Sequence, residues 1–338
     1  MEQNFKALVI EEKENSIFER NITTKNINEL PQNEVLIKVH YSSLNYKDAL
    51  SASGNKGITR KYPHTPGVDA AGIVVKSQSE KFKEGDEVIC TGYDLGMNTS
   101  GGFGQYISVP ADWLVALPKN ISLRNSMIIG TAGFTAMNGV LEILNYDIKP
   151  QDGKILVTGA TGGVGIMAVT FLAKLGYAVV ASSGKVEQYE LLKKAGASEI
   201  IGRDEANDIS GKPLLGKKYI GAIDTVGGNV LATALKSTEN YGIVATCGNI
   251  ASTELNISIF PFILRGVRLI GLASAETLMP KRLKIWGKIS EIIFINSNNP
   301  NFDFEFLVKE VKLEQLSDEI DLILKGKQVG RVLVNMQL

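Results

Sequence analysis

Apolar and polar residues alternate in short runs over the first third of the chain, and turn-forming residues separate the runs. Alternation with a period of two is typical of half-buried β-strands. Glycine and proline recur between the runs, as at Pro63, Gly67, Gly85 and Gly101, and such residues predict tight turns. Residues 1 to about 126 are therefore predicted to form a mostly antiparallel β domain. The predicted strands are FKALVI (5–10), EVLIKVHYSSL (34–44), AAGIVVKS (70–77), DEVICTG (86–92), GQYISVP (104–110) and WLVALP (113–118).

From about residue 127 the pattern changes, and strand-like segments alternate with segments of helical spacing. This alternation predicts an α/β fold with a parallel, doubly wound sheet. Six such strands make a complete Rossmann sheet. The helical segments include VGIMAVTFLAKLG (164–176) and EQYELLKKAGA (187–197). The strands are KILVTG (154–159), AVVASS (178–183), EIIG (199–202), GAIDTV (221–226), GIVATCG (242–248) and VRLIGLA (267–273).

The C-terminal segment from about residue 300 has the pattern of a strand, an amphipathic helix, a glycine turn and a second strand. We expect this segment to return to the first domain. The prediction is thus a discontinuous domain of residues 1–126 and 300–338 around a Rossmann domain of residues 127–299.

Composition limits the kinds of partner. The chain has 338 residues, enough for two cores, and its 36 Lys and Arg balance its 36 Asp and Glu, so no global field draws it to nucleic acid or to a membrane surface. A small molecule is the expected partner. Cys90 and Cys247 lie in apolar runs and are expected to be buried free thiols. The N-terminus lacks the pattern of a secretion signal, and no run approaches the roughly 18 apolar residues of a membrane span, so we expect a cytoplasmic location.

The stretch ATGGVG (160–165) lies between a predicted strand and a predicted helix. A pyrophosphate bound at a helix N-terminus needs close backbone approach, free amides and the positive end of the helix dipole. Ala160 stands where the dinucleotide fingerprint has its first glycine, Gly162 and Gly165 hold the second and third places, and Gly163 adds flexibility. A tight structural turn is the alternative, but the strand before and the helix after favour a nucleotide cradle.

The end of the second Rossmann strand distinguishes NADH from NADPH. Here Ser183, Gly184 and Lys185 follow the strand, and no carboxylate occurs until Glu187. Hydroxyls and an ammonium group suit a 2′-phosphate, which a carboxylate would repel, so we predict NADPH. Arg203, after the third strand, is expected to stack on the adenine or to join the phosphate site. A solvated surface position is the alternative for both cations.

A β-rich N-terminal domain before a late Rossmann fold resembles the medium-chain dehydrogenase/reductase superfamily, whose catalytic domain is GroES-like. Its zinc members carry a cysteine after the second main strand and a Gly-His-Glu before Ala-Gly-x-Val. Here Asn45 stands at the first place, and Val68 and Asp69 stand at the second. Valine cannot bind zinc and no four-cysteine lobe exists, so we predict no metal. His64 is expected in a loop and His40 in a strand.

Without a Lewis acid, hydride addition to an activated C=C bond is expected rather than alcohol oxidation, because the substrate itself spreads the developing charge and a few hydrogen-bond donors can hold the enolate oxygen. Longer blocks resemble the acrylyl-CoA reductase group of zinc-free reductases. These blocks are SSLNYKDAL (42–50), PGVDAAG (66–72), MIIGTAGFTAM (127–137), PQDGKILVTGATGGVG (150–165), LKKAGAS (192–198), GAIDTVGG (221–228), ENYGIVATCG (239–248) and PFILRGVRLIG (261–271).

This resemblance implies NADPH-dependent reduction of acrylyl-CoA to propanoyl-CoA, by a homodimer whose Rossmann sheets join edge to edge. It also implies a set of cofactor contacts. Lys185 stands where the group usually has arginine, which weakens bidentate phosphate recognition without changing the sign of the charge. The implied contacts are Tyr46, Thr161, Gly162, Gly163, Val164, Ser183, Gly184, Lys185 and Arg203.

Catalytic roles are hypotheses at this stage. Tyr46 is expected to contact the nicotinamide or to relay the proton to Cα, and Asn45 to position the carbonyl; simple loop packing is the alternative for both. Thr131, Gly248 and Asn249 are expected near the nicotinamide, since ligands lie beyond the carboxyl ends of parallel strands.

Three further features stay open. Asp48 and Asp69 are expected to cap a helix or to bond backbone amides rather than to act as acids. The basic loop 54–62 either contacts the phosphates of coenzyme A or is an ordinary solvated loop. The alternative functions are an NADPH quinone oxidoreductase, and a non-catalytic NADPH-binding redox sensor.

Overall fold

The computed structural model describes residues 3–296 and 304–338, and the chain forms two compact units. The described part of the first unit comprises residues 3–131, 275–293 and 304–338, and the second comprises residues 132–274 and 294–296. The predicted division differs in residues 127–131 and 275–293, which lie in the first unit. The predicted boundary at residues 299 and 300 falls outside the described residues.

Short strands dominate the N-terminal part of the first unit, and all six predicted strands are confirmed. One further strand was missed: FERNITTKN carries polar residues on both faces, none of its residues is buried, and it pairs antiparallel with the first strand. In chain order the elements are β1 (Asn4–Glu12), β2 (Phe18–Asn26), β3 (Val35–Leu44), the short helix α1 (Tyr46–Ser51), β4 (Asp69–Ser77), β5 (Glu87–Thr91), β6 (Tyr106–Val109) and β7 (Leu114–Ala116).

The next element is the long apolar helix α2 (Leu123–Asn145). Contrary to the prediction from sequence, its length and composition match those of a membrane span, with a mean hydropathy of 1.4 over 18 residues. However, 83% of that window is buried inside the protein, as expected of a core helix. The helix is also broken at Gly130, whose backbone is not helical (φ +50°, ψ −160°).

The second unit has the predicted Rossmann sheet, and all six predicted strands are confirmed. The six strands are parallel and lie in the order β10-β9-β8-β11-β12-β13, which is the doubly wound arrangement that starts from a central first strand. The core includes Leu156, Val180, Ala222 and Val244. The elements are β8 (Ile155–Val157), α3 (Gly163–Lys174), β9 (Val179–Ser182), α4 (Tyr189–Lys194), β10 (Glu199–Ile201), β11 (Tyr219–Asp224), α5 (Gly228–Ser237), β12 (Thr238–Thr246), α6 (Phe260–Arg265) and β13 (Arg268–Gly271).

The C-terminal segment completes the sheet of the first unit. After α7 (Met279–Asn296) come β14 (Val308–Lys312), α8 (Leu316–Leu324) and β15 (Arg331–Asn335). β15 pairs antiparallel with β3, and the sheet order is β14-β15-β3-β4-β5-β7, with β6 also paired to β3. The core of this unit includes Leu8, Ile37, Val74, Phe103 and Val332.

Candidate functional site

A glycine-lined loop joins β8 to α3 in the second unit. Gly159 has φ +59°, and the loop then turns back so that the Gly162 amide donates to the Gly159 carbonyl at 3.0 Å. A Cβ on Gly165 would lie only 2.3 Å from the Gly159 oxygen, so this position has no room for a larger residue. The first amides of α3 have no acceptor within the helix and are free to bind an anion.

The carboxyl ends of the central strands are held together by Asp224. This buried carboxylate accepts hydrogen bonds from Thr158 Oγ1 (2.7 Å), the Gly227 amide (2.9 Å) and Thr246 Oγ1 (2.9 Å). The network therefore fixes the edge at which ligands bind in doubly wound sheets. Gly248 follows the end of β12 closely, and a Cβ there would lie 1.8 Å from the Thr225 oxygen. Asn249 comes next and is exposed.

Two cations and two hydroxyls surround the end of β9. Thr161 and Ser183 are buried, and their hydroxyl oxygens are 3.3 Å apart. The Lys185 amide donates to Ser183 Oγ at 3.1 Å. The Arg203 guanidinium lies against Gly184, because a Cβ built there would be 3.2 Å from Arg203 Nε. The structure thus brings together the hydroxyls and cations that the sequence predicted for a 2′-phosphate.

The electrostatics of this cluster favour a bound anion. Burial lowers the pKa of Lys185, Glu187 opposes that effect, and the positive charge of Arg203 lowers the pKa further. A dianion bound beside both cations would offset the mutual repulsion of Lys185 and Arg203.

In the first unit a buried polar network centres on Asp69. Its carboxylate is fully buried and accepts hydrogen bonds from Ser43 Oγ (2.6 Å), Asn45 Nδ2 (2.7 Å), the Thr131 amide (2.9 Å) and Thr131 Oγ1 (2.6 Å). Four donors to one carboxylate satisfy its hydrogen-bonding capacity.

Asp48 is the second buried carboxylate of the network. It accepts from the Asn45 amide (2.8 Å), where it forms the capping box of α1, and from the Val68 amide (2.8 Å). Burial, and then the neighbouring charge of Asp69, raise the pKa of Asp48 to about 7. The expected capping role is thus seen for Asp48, whereas Asp69 mainly accepts from side chains.

A buried guanidinium completes the network. Arg331, at the start of β15, is 2% exposed and donates to the Ile128 carbonyl (2.9 Å), Ser43 Oγ (2.9 Å) and Asn45 Oδ1 (3.2 Å). Burial lowers the pKa of Arg331, and the charges of Asp69 and Asp48 oppose that effect. Sequence reasoning missed this residue, although an arginine that begins the otherwise apolar strand RVLVN was a signal for a paired buried charge.

The break in α2 makes room for this network. A Cβ on Gly130 would lie 2.5 Å from Ser43 Oγ, 2.6 Å from Asp69 Oδ2 and 2.8 Å from Arg331 Nη2. Only glycine therefore fits there, and its positive φ turns the Thr131 amide towards Asp69.

The structure places the predicted catalytic residues in different settings. Asn45 Nδ2 bonds Asp69, and its Oδ1 accepts from Arg331, so this amide is engaged within the protein. Thr131 bonds Asp69 through both its amide and its hydroxyl. Tyr46 is the first residue of α1 and follows Asn45 of the network directly. Its side chain is 42% exposed and is therefore accessible to a ligand.

The residues at the zinc-ligand positions do not fit a zinc ion. Asn45 and Asp69 are bonded to each other, and the side chain of Val68 offers no donor atom. The Arg331 guanidinium contributes a positive charge beside them, which disfavours a dication. Residues 3–296 and 304–338 contain no group of three or more His, Cys, Asp or Glu that could hold a metal.

The two histidines and the two cysteines have structural settings. His64 is buried in a loop and its Nε2 is 2.9 Å from the Gly96 carbonyl, while His40 lies in β3. Cys90 is buried as expected, but Cys247 is only half-buried. Burial raises the pKa of each thiol to about 12, so both are protonated at neutral pH.

Comparison with known proteins agrees with this description. Residues 31–119 match the family model of the alcohol dehydrogenase GroES-like domain, and residues 163–285 match that of the zinc-binding dehydrogenase domain. The acrylyl-CoA reductase AcuI of Ruegeria pomeroyi is 39% identical over 98% of this chain and 99% of its own length. YhfP of Bacillus subtilis, named as a candidate quinone oxidoreductase, is 43% identical over 93% of this chain and 94% of its own.

Solved structures show the same fold with dinucleotides bound. YhdH of Escherichia coli K-12 with NADPH has a TM-score of 0.92 at 41% identity, and YhfP with NAD has 0.94 at 42%; each alignment covers 98% of this chain and 99% of the other. This chain therefore belongs to the medium-chain dehydrogenase/reductase superfamily, in the group of oxidoreductases that contains AcuI and YhfP. The resemblance inferred from the sequence is confirmed.

Proposed function

We propose that this protein uses NADPH to reduce the C=C bond of an α,β-unsaturated acyl-CoA, with acrylyl-CoA as substrate and propanoyl-CoA as product. The observation that carries the proposal is the match to an acrylyl-CoA reductase over 98% of the chain. A buried hydrogen-bond network occupies the positions at which zinc-containing members of the superfamily have their ligands. This supports the proposal, because reduction of an activated double bond needs no Lewis acid.

The second unit provides the cofactor site. The loop at Gly159–Gly165 leaves space for a pyrophosphate at the start of α3, and the Lys185 and Arg203 cluster suits a 2′-phosphate. Thr161, Gly162, Gly163, Val164, Ser183, Gly184, Lys185, Arg203, Gly248 and Asn249 are the proposed contacts. YhfP was solved with NAD and YhdH with NADPH, so cofactor choice varies among relatives, and the cation pair is our reason for choosing NADPH.

In the mechanism we propose, NADPH when bound supplies the hydride that adds to Cβ of the thioester. Tyr46 is the proposed donor of the proton that Cα requires, and its side chain, exposed at the start of α1, is accessible to a ligand. Asp48 and Asn45 hold that helix start through the capping box, and Arg331 holds Asn45. Asn45 is thus a positioning residue rather than a direct contact of the substrate carbonyl, and Thr131, which was expected near the nicotinamide, is a positioning residue through its bonds to Asp69.

An NADPH-consumption assay with acyl-CoA substrates of increasing length, repeated with NADH, tests this function. We expect turnover to be highest with acrylyl-CoA and NADPH. Substitution of Tyr46 by Phe should lower kcat about 100-fold, as for loss of a general acid, while the Kd of NADPH stays unchanged. A Y46F protein with wild-type kcat would remove Tyr46 from the mechanism.

Quinone reduction is the second candidate, because YhfP carries that name at 43% identity. It shares the glycine loop and the cation pair. The two functions differ in one respect: only reduction of a thioester depends on the coenzyme A moiety. A kcat/KM for a simple quinone that exceeds the value for acrylyl-CoA would favour this alternative.

We also propose that the protein forms a homodimer through the edge strand β13. Among the described residues this strand pairs only with β12, so its outer edge offers unpaired backbone groups. Ile259, Ile263 and Leu264, on or beside the nearby α6, are each about 60% exposed or more, and they form an apolar surface. Sedimentation of the wild type as a dimer and of I263E as a monomer would support this interface.

A cytoplasmic location stays a prediction.

A further inference from the structure

Two basic residues of the first unit contact one turn, Lys47 through its ammonium group and Arg60 through its backbone amide. Lys47 Nζ lies 4.0 Å from Met97 Sδ, and the Arg60 amide donates to Asn98 Oδ1 at 3.3 Å. Because Met97 and Asn98 are consecutive, α1 and the loop 54–62 meet at this turn. Lys47 also follows Tyr46 directly, so the turn lies beside the proposed catalytic helix.

Hydrogen bonds within residues 94–99 fix the conformation of this turn. The Gly96 amide donates to the Thr99 carbonyl at 2.8 Å, and the Asp94 carboxylate accepts from Asn98 Nδ2 and Thr99 Oγ1, each at 2.9 Å. A Cβ on Gly96 would lie 2.5 Å from the backbone of Gly67, the residue before Val68. The turn is therefore packed against the segment whose amide bonds Asp48.

Lys47 and Arg60 differ from their neighbour Lys56 in whether a carboxylate of the protein balances their positive charge. Lys56 Nζ lies 2.6 Å from Glu12 Oε2 and over the Tyr62 ring, so its charge is balanced within the protein. Across the described ranges 3–296 and 304–338, neither Lys47 nor Arg60 has a carboxylate oxygen within 4.0 Å of its charged group. The contact of Lys47 with a neutral thioether cannot balance its charge. Arg60 is exposed and Lys47 is half-buried.

We propose that Lys47 and Arg60 bind the phosphate groups of coenzyme A and so select acyl-CoA over small enones. The proposal rests on the proposed reductase function. Lys47 and Arg60, held at the same turn by the Lys47 ammonium and the Arg60 backbone, suit a diphosphate, since charge-assisted bonds to phosphate are strong and a guanidinium binds two oxygens at once. In this proposal Arg60 contacts the ligand and Lys56 does not, because the charge of Lys56 is already balanced by Glu12.

Two substrates with the same reacting group test this site: acrylyl-CoA, and the acrylyl thioester of N-acetylcysteamine, which has no phosphate. We expect K47A and R60A each to raise KM for acrylyl-CoA by about 10-fold, as for loss of one charge-assisted hydrogen bond, with kcat unchanged. Both variants should reduce the short thioester like the wild type. K56A, the matched control from the same loop, should behave like the wild type with both substrates.

If K47A and R60A weaken reduction of the two thioesters equally, or weaken neither, the proposed phosphate site is wrong. If the wild type reduces neither thioester, the proposed function fails, and the site is then tested by calorimetry with coenzyme A alone. Binding to the wild type that weakens about 10-fold in R60A but not in K56A supports the site, whereas equal binding or no binding contradicts it.

Discussion

Replacement of Asp48 by Asn tests the electrostatics of the buried network. Asp48 is fully buried, and its two oxygens accept separate backbone amides, those of Asn45 and Val68. The variant keeps the size of the side chain but has one acceptor oxygen instead of two. One amide therefore loses its partner, and this contribution of about 1–3 kcal/mol to the stability of D48N does not itself change with pH.

The pH dependence should differ between the two proteins. Burial and Asp69 raise the pKa of Asp48 to about 7, whereas an unfolded aspartate titrates near 4. Because folding disfavours the charged form, the wild type loses stability as pH rises above about 4, and the loss is complete above about 7. At about 1.4 kcal/mol per unit, the wild type should lose about 3 kcal/mol relative to D48N between pH 5 and pH 8.

Urea unfolding at pH 5 and pH 8 measures this difference. The chain's two tryptophans, Trp113 and Trp286, both lie in the first unit, so their fluorescence reports on the unit that contains Asp48. Other titrating groups cancel when the two proteins are compared at each pH. A difference in unfolding free energy that is the same at both pH values, or that changes in the opposite direction, would refute the reasoning.

Two other predictions concern the two clusters. K185A and R203A should each raise KM for NADPH about 10-fold, as for loss of one charge-assisted bond, and leave KM for NADH unchanged; equal effects on both cofactors in steady-state assays would contradict the 2′-phosphate site. G130A should unfold at a markedly lower urea concentration than the wild type, because its Cβ would overlap the network. G85A is the control, since Gly85 also has a positive φ but no atom within 4 Å of its Cβ, and an equal loss in both variants would show that backbone strain alone is responsible.

The fold could be predicted largely from the sequence because the hydrophobic pattern is strong. The central strands β8 and β9 of the Rossmann unit are buried on both faces, and every predicted strand there exists. β2 was missed because it is polar on both faces and is held by backbone pairing with β1, for which side-chain patterns give no signal.

The sequence predicted the parts of the candidate site in the second unit but not the buried network in the first. The loop at residues 160–165 and the cluster at Lys185 could be predicted because they are local in sequence. The network could not, because Arg331 lies about 260 residues or more from Asn45 and Asp69, and only the pairing of β15 with β3 brings them together. Asp69 was expected to cap a helix or to bond backbone amides for the same reason: its side-chain donors come from two distant segments, at Ser43 and Asn45 and at Thr131.

The transfer of hydride to the acyl chain is the central claim, and isotope labelling tests it most directly. The protein is incubated with acrylyl-CoA and NADPH that carries deuterium at C4 in the transferred position, and the product is analysed by mass spectrometry and NMR. The account predicts one deuterium at C3 of propanoyl-CoA for each NADPH oxidised. Oxidation of NADPH without deuterium in the acyl chain, or the absence of propanoyl-CoA, would contradict it.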